Sequence, residues 1–394
     1  MKARGVIRIV LVVILLSSIC LTLPYDTHAA RPVQVWPTDD WATSSPEEQG
    51  MNSTALAEIY DHVRTSDARI RSMLVVRHGF LVAEEYFSPI LYDVNSTHIL
   101  FSVTKSFVSC LIGIAIDHGF IDNTSQLLLD FFPDRTIADL SAWKEVITLE
   151  DVLQMRSGFQ WNEDNYIEYN DFFAMINSDD WAQYVLDRPM ANEPGSTFYY
   201  NSGNSHLLAT IINVTTGMTP LAFADEYLFG PLGITFRGWL TDPQGVNFGG
   251  SNLALKPRDM AKFGLLFLNN GTWDYQQIVS SNWVFNSSQG PSTPYAGVSY
   301  GYQWWIDDYN GWYSARGYNG QFIYVIQEHD IVVVFSSDND DGPWEYDWLV
   351  GEGILGAVTN IYPESNPSNS PYLLVGAVSM GVLVVAVLVV RVRR

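Results

Sequence analysis

The sequence predicts an α+β fold, an antiparallel sheet flanked by helices with a mostly helical subdomain inserted into it. Three observations carry that prediction. Ile70–Val76 and Phe80–Tyr86, rich in aliphatic and aromatic residues, flank Arg77-His78-Gly79 as a β-hairpin. Near the other end Gln321–Ile326 and Ile331–Ser336 repeat the pattern across Gln327-Glu-His-Asp330. From Ile121 to about Gly233 the signals are mostly helical. One sheet interrupted by a helical insertion accounts for all three, with sheet parts at about 45–118 and 240–360 and the helical part at about 119–239.

Taken in order, Asn52-Ser53-Thr54 leads a helical pattern over Ala55–Val63. Another apolar helix begins near Ser102. Ile147–Met155 carries a Thr cap and stops at Arg156-Ser-Gly158. Gln160–Asp180 mixes acids, amides and aromatics with little period and reads as a long loop. Trp181–Leu186 and Ser205–Val214 read as helices separated by a turn at Glu193–Thr197, and Ala222–Phe229 as another, closed by Gly230-Pro231. Pro257–Leu268 is a helix with Pro in its first turn. Tyr300–Asp308 and Gly311–Ala315 look like strands, and Trp344–Thr359 a closing helix.

The chain of 394 residues can bury one large core or two intimately packed domains. Its net charge is −22, and it holds no basic patch or finger motif, which excludes nucleic acid as a partner. The ends suggest where the body, 31–360, resides. A basic start, the apolar run Ile9–Leu16 and Thr27-His-Ala-Ala30 read as a signal peptide over residues 1–30, or as an uncleaved anchor. Residues 361–371 form a Pro-, Ser- and Asn-containing stalk. Tyr372–Val390 carries no charge and would be about 28 Å long as a helix, enough to span a bilayer. Arg391-Val-Arg-Arg394 would then stay cytoplasmic, leaving the body extracytoplasmic on a single membrane helix. Asn-x-Ser/Thr sequons at Asn52, Asn95, Asn123, Asn213, Asn270 and Asn286 permit glycosylation there. Once the signal is removed Cys110 is the remaining cysteine, so no intrachain disulfide can form.

Chemistry concentrates at Ser102-Val-Thr-Lys105, at the start of an apolar run with no clean polar face. Residues at i and i+3 of a helix share a face, so the lysine amine can reach the serine hydroxyl. A desolvated lysine at a helix start loses its proton readily and can activate a serine. The alternative is an ordinary helix start with a serine cap and a chance lysine.

Ser102-x-x-Lys105 resembles the first motif of the serine β-lactamase and penicillin-binding-protein superfamily. Further stretches resemble its class C-related branch of esterases, D-aminopeptidases and 6-aminohexanoate-oligomer hydrolases. They are Ile147–Gly158, Glu193–Gly203, Pro257–Gly264 and Gly317–Val325, in the expected order between about 45 and 355. The second motif of that family, Y-x-N, falls on Tyr200-Asn201-Ser202, where Ser202 replaces the usual Asn. The resemblance implies that Tyr200, as phenolate or through Lys105, removes the Ser102 proton and later activates water. Without the resemblance Tyr200 is an aromatic turn residue beside Phe198 and Tyr199. The third motif falls on Ala315-Arg316-Gly317, where the family's cation is absent. Arg316 should face the opposite side of its strand. β-Lactams are therefore not the expected substrates, and neutral esters or linear amides are. The resemblance also implies an oxyanion hole from the backbone N–H groups of Ser102 and Tyr318. Gly317 would let substrate approach the backbone, Ser202 would retain a hydroxyl for it, and Tyr166, Tyr169, Asp179, Trp181 and Asn252 are further candidates for contact.

Gly297-Val-Ser299-Tyr-Gly301 matches G-x-S-x-G, but a Pro-rich loop leading into a strand is not the strand–turn–helix that a nucleophile elbow needs. His78 and His118 read as turn and helix-end residues, no His pair has metal-ligand spacing, and no cofactor is expected. The expectation is a membrane-anchored serine hydrolase acting on a small-molecule or peptide-like substrate. A catalytically idle binding module and a D,D-peptidase on the same fold are the alternatives.

Overall fold

Strands from the two ends of the body pair directly with each other. In a computed structural model, residues 35–359 are described apart from 67–68, 89, 164–168, 236 and 340–343. The expected signal, stalk and membrane segments lie outside them. β1 (Ile70–Arg77) and β2 (Phe80–Tyr86) form the hairpin, with His78 at its turn. β3 (His98–Ile99), β4 (Gly238–Trp239) and β5 (Leu253–Leu255) make a small sheet of order β3-β5-β4. β6 (Thr272–Trp273) and β7 (Gln276–Gln277) are a short hairpin. The main sheet is completed by β8 (Ser292–Tyr295), β9 (Val298–Tyr300), β10 (Trp305–Asp307), β11 (Trp312–Gly317), β12 (Gln321–Ile326) and β13 (Ile331–Ser337). Its order is β2-β1-β13-β12-β11-β10-β9-β8, and every neighbouring pair is antiparallel. The α+β expectation holds.

β12 and β13 are buried along their whole length, so successive side chains feed two different cores. Tyr324, Val333 and Phe335 pack with α1 (Ser53–Thr65). Ile323, Val325, Val332 and Val334 join the core on the other face, which contains α2 (Val103–Asp117). The helical part adds α3 (Leu149–Leu153), α4 (Asp171–Ile176), α5 (Trp181–Leu186), α6 (Ser202–Thr216) and α7 (Pro220–Ala224). α8 (Pro257–Leu268) lies directly on the sheet, where a Cβ on Gly264 would sit 2.5 Å from Val332. α9 (Ser281–Ser287) and α10 (Trp344–Trp348) follow.

Four local expectations need correction. The loop over 160–180 contains α4, started by the Asn170 side chain accepting from Phe173 N–H at 3.2 Å. α6 begins at Ser202, three residues early, because Asn201 caps Asn204 N–H. The strand expected over Tyr300–Asp308 is broken between β9 and β10. There Gln303 adopts φ 63° and its amide reaches Leu153 O at 2.7 Å, tying the turn to the helical part. The closing helix widens after α10 into a π-helical stretch, Leu349–Ile354, that contains two glycines, which hold a regular helix weakly. No single helix among the described residues is long and apolar enough to cross a membrane.

Candidate active site

Ser102 opens α2 immediately after Phe101, whose backbone is left-handed at φ 47°. That conformation costs about 1–3 kcal/mol in a bulky residue and turns the chain sharply from β3 into the helix. The small sheet holds the incoming strand, with Leu100 N–H donating to Leu253 O at 2.8 Å. The Ser102 side chain caps no backbone group, which removes the plain-cap alternative. Instead Lys105 Nζ lies 2.9 Å from Ser102 Oγ and donates to Gly250 O at 2.8 Å.

Every residue of α2 from Val103 to Ala115 is buried, as the unbroken apolar run predicted. Burial therefore pulls the Lys105 ammonium down to about 8, with the Glu163 carboxylate opposing the drop. Cys110, inside the same helix, is buried and its thiol is pushed up by desolvation, consistent with inert packing.

Tyr200 stands just ahead of α6, which packs against α2. Its ring centroid is 4.8 Å from Lys105 Nζ, and the ring stacks on Trp305 at 5.8 Å. The Ser102 side chain acts on its phenol in the lowering sense. Burial, reinforced by Glu163, pushes the phenol well above its ordinary range, and the influence of Ser102 only partly offsets this. Of the two routes expected for Tyr200, the phenolate is thus disfavoured and the route through Lys105 remains.

Ser202 is buried and does not present a free hydroxyl. Its Oγ donates to Glu163 Oε1, and its backbone N–H donates to Glu163 Oε2 at 2.7 Å. Trp161 Nε1 donates to the same Oε2 at 2.8 Å. Glu163 was not singled out in the sequence. It sits in the acid- and aromatic-rich stretch 160–180, where more conspicuous residues drew attention.

A cavity of about 220 Å³ opens over Ser102. Phe101, Phe172 and Tyr318 form its aromatic walls, and Ser202, Gly250, Ser251 and Asn252 complete it. Asn252, at φ 70°, is therefore brought to the site as expected. Tyr318 also packs edge-on against Phe101. Phe172 was missed because α4 was read as loop.

Other candidates are placed elsewhere. Tyr169 is 75% exposed and does not line the cavity. Asp179 is exposed and offers its backbone carbonyl to Gln244. Trp181 is a core residue against His206 and Phe248, because α5 turns it inward. Tyr166 lies outside the described residues. At Gly317 a Cβ would meet Leu100 O at 2.3 Å, so its bareness lets β11 approach the segment before Ser102.

The third motif lacks a cation in the structure as in the sequence. Ala315 is buried in the core that includes α2. Arg316 is committed elsewhere, its Nε donating to Ser314 Oγ at 2.8 Å and its guanidinium pairing with Asp347 at 3.3 Å. Ser299 lies on β9 and donates to Asp308 at 2.8 Å, with no elbow geometry.

Comparison with known proteins agrees with this arrangement. The chain is 26% identical over 309 residues to the 6-aminohexanoate-dimer hydrolase of Paenarthrobacter ureafaciens, covering 72% of this chain and 76% of that one. A Bacillus anthracis structure provisionally named a 6-aminohexanoate-dimer hydrolase superposes with a TM-score of 0.67 at 23% identity, covering 82% and 89% of the two chains. EstCE1, described as a hydrolase with promiscuous acyltransferase activity, superposes with a TM-score of 0.65 at 14% identity, covering 80% and 99%. These superpositions share the fold. Residues 59–350 match the beta-lactamase family, which takes in both sheet parts, the helical part and the Ser102 site. The chain belongs to the beta-lactamase family of serine hydrolases.

Proposed function

We propose that the chain hydrolyses neutral esters or linear amides through an acyl-enzyme on Ser102. The observation that carries this reading is the buried contact of Lys105 Nζ with Ser102 Oγ at 2.9 Å, beside Tyr200. In its neutral form Lys105 takes the Ser102 proton as Oγ attacks the substrate carbonyl. Backbone N–H groups of Ser102 and Tyr318 hold the oxyanion. As the intermediate collapses, Tyr200 gives its phenolic proton to the leaving oxygen or nitrogen and is reprotonated from the Lys105 ammonium. Water then attacks the acyl group, passing its proton along the same pair, and Ser102 is restored as the acid leaves.

The substrate class follows from charge. No cationic side chain lines the cavity among the described residues, and Arg316 is held by Asp347. An acyl group bearing a carboxylate finds no counter-ion there, whereas a neutral one meets aromatic walls. The Paenarthrobacter ureafaciens relative is named for a linear amide substrate, which supports including amides. We further place the body outside the membrane, held by 372–390, on the strength of the sequence.

Ser102→Ala tests the chemistry. It should abolish hydrolysis of p-nitrophenyl butyrate by the soluble body, and undiminished turnover would overturn the assignment. Protease treatment of intact cells tests the location. The body should be shaved from the surface, and a fully protected body would contradict the placement.

A further inference from the structure

Glu163 is a carboxylate buried to 5% exposure within the helical part, and the chemistry above leaves it without a task. Among the described residues, Ser202 N–H, Ser202 Oγ–H and Trp161 Nε1–H converge on it. That donor set suits an acceptor-only anion. Burying a charge is expensive, and a site that does so without a use for it is disfavoured. Among the described residues, the ionisable groups that feel this carboxylate include Lys105 from α2, Tyr200 ahead of α6 and Tyr300 from β9. Two of them are the groups that must exchange a proton in every turnover.

The position is also informative. Ser202 ends the Tyr200-Asn201-Ser202 triplet, two residues after Tyr200, and it is the residue that clamps Glu163. A rigid link therefore runs from the carboxylate through the first turn of α6 to Tyr200. The departure at Ser202 acquires a physical meaning: its short hydroxyl leaves room for the Glu163 carboxylate and donates to it.

We propose that Glu163 is the positioning residue of the catalytic pair, a fixed buried anion that balances the Lys105 ammonium formed on acylation and holds Tyr200 in its protonated, proton-donating form. The neutral amine, phenol and carboxylate carry one negative charge before acylation. When the amine takes the Ser102 proton, that charge is compensated inside the cavity wall, and no ion has to be recruited from water. Removing the anion lowers the tendency of Lys105 to hold a proton and likewise eases ionisation of Tyr200. Both effects move activity toward lower pH.

The inference rests on Ser102 being the nucleophile, and the experiment separates the two. The rate of inactivation of the soluble body by a fluorophosphonate probe is measured from pH 5.5 to 10 for the wild type, Glu163→Gln, Glu163→Asp and Ser202→Ala. In the wild type the rate should rise through about pH 8. In Glu163→Gln the limb should move down by about one pH unit, the size expected for loss of a nearby opposite charge. Glu163→Asp should keep the limb close to the wild type. Ser202→Ala strips one donor from the carboxylate and leaves its charge in place, so its limb should stay at or slightly above the wild type, and a downward shift there would contradict the proposal. A limb that stays in place while the rate falls equally at every pH assigns Glu163 a structural role and overturns the proposal alone. A wild type that no probe acylates overturns the nucleophile assignment and this proposal together.

Discussion

In the proposed mechanism Lys105 and Tyr200 divide the proton work by environment. Desolvation acts on both in the same sense, penalising the charged form, yet it makes the lysine a usable base and the tyrosine a reluctant one. The neutral amine is the active form, and its ordinary value is lowered to about 8. Below that pH the proton occupies the base, so kcat/KM should fall about tenfold per pH unit and level off above it. Lys105→Met should lose about 10²–10⁴-fold in kcat/KM at pH 8. Tyr200→Phe keeps the stacking on Trp305 and removes the donor. It should harm an anilide far more than a p-nitrophenyl ester, because nitrophenolate leaves without a proton and an amine does not. Equal losses on both substrates would deny Tyr200 the donor role.

At the scale of elements, the site depends on three backbone segments brought close: the turn into α2, the Gly250–Asn252 stretch and the end of β11. Gly317 permits the third approach, since any Cβ would strike Leu100 O at 2.3 Å. Gly317→Ala should therefore displace Tyr318 from Ser102 and cut kcat by at least tenfold. The denaturation midpoint should change little by comparison. A large stability loss with normal residual kcat would contradict this reading. Much of this scale was legible in the sequence. The hairpin, α5, α8 and the apolar α2 follow from period, caps and breakers, the pairing of Ser102 with Lys105 from its i, i+3 spacing, and the place of Tyr200 from the family resemblance. What escaped was tertiary. Glu163 and Phe172 lie in a stretch with little hydrophobic period, where local pattern cannot tell a buried carboxylate from a solvated one. Trp181 looked available because its helix is short, and which face of a two-turn helix points inward depends on neighbours such as His206 and Phe248. The break before β10 is imposed by Gln303 bonding to distant carbonyls, which no window of local sequence contains.

For the molecule as a whole, β1 pairing with β13 closes the body around the helical part, and the cores on both faces of the sheet make α2 a rigid mount for Ser102. The chain carries a net charge of −22, so its field favours approach of cations over anions. With a cationic choline ester, kcat/KM should fall as salt rises from about 0.01 to 0.5 M, because the Debye length shrinks from about 30 Å to a few ångströms. A neutral ester of the same acid should be insensitive, and identical salt dependence for both would contradict the steering. The central claim, that this fold presents Ser102 as its nucleophile, is tested most directly by peptide mapping of the intact body after fluorophosphonate treatment. One adduct on the peptide containing Ser102 is predicted, absent in Ser102→Ala. An adduct on Ser299 or on any other residue, surviving in that variant, would contradict the account.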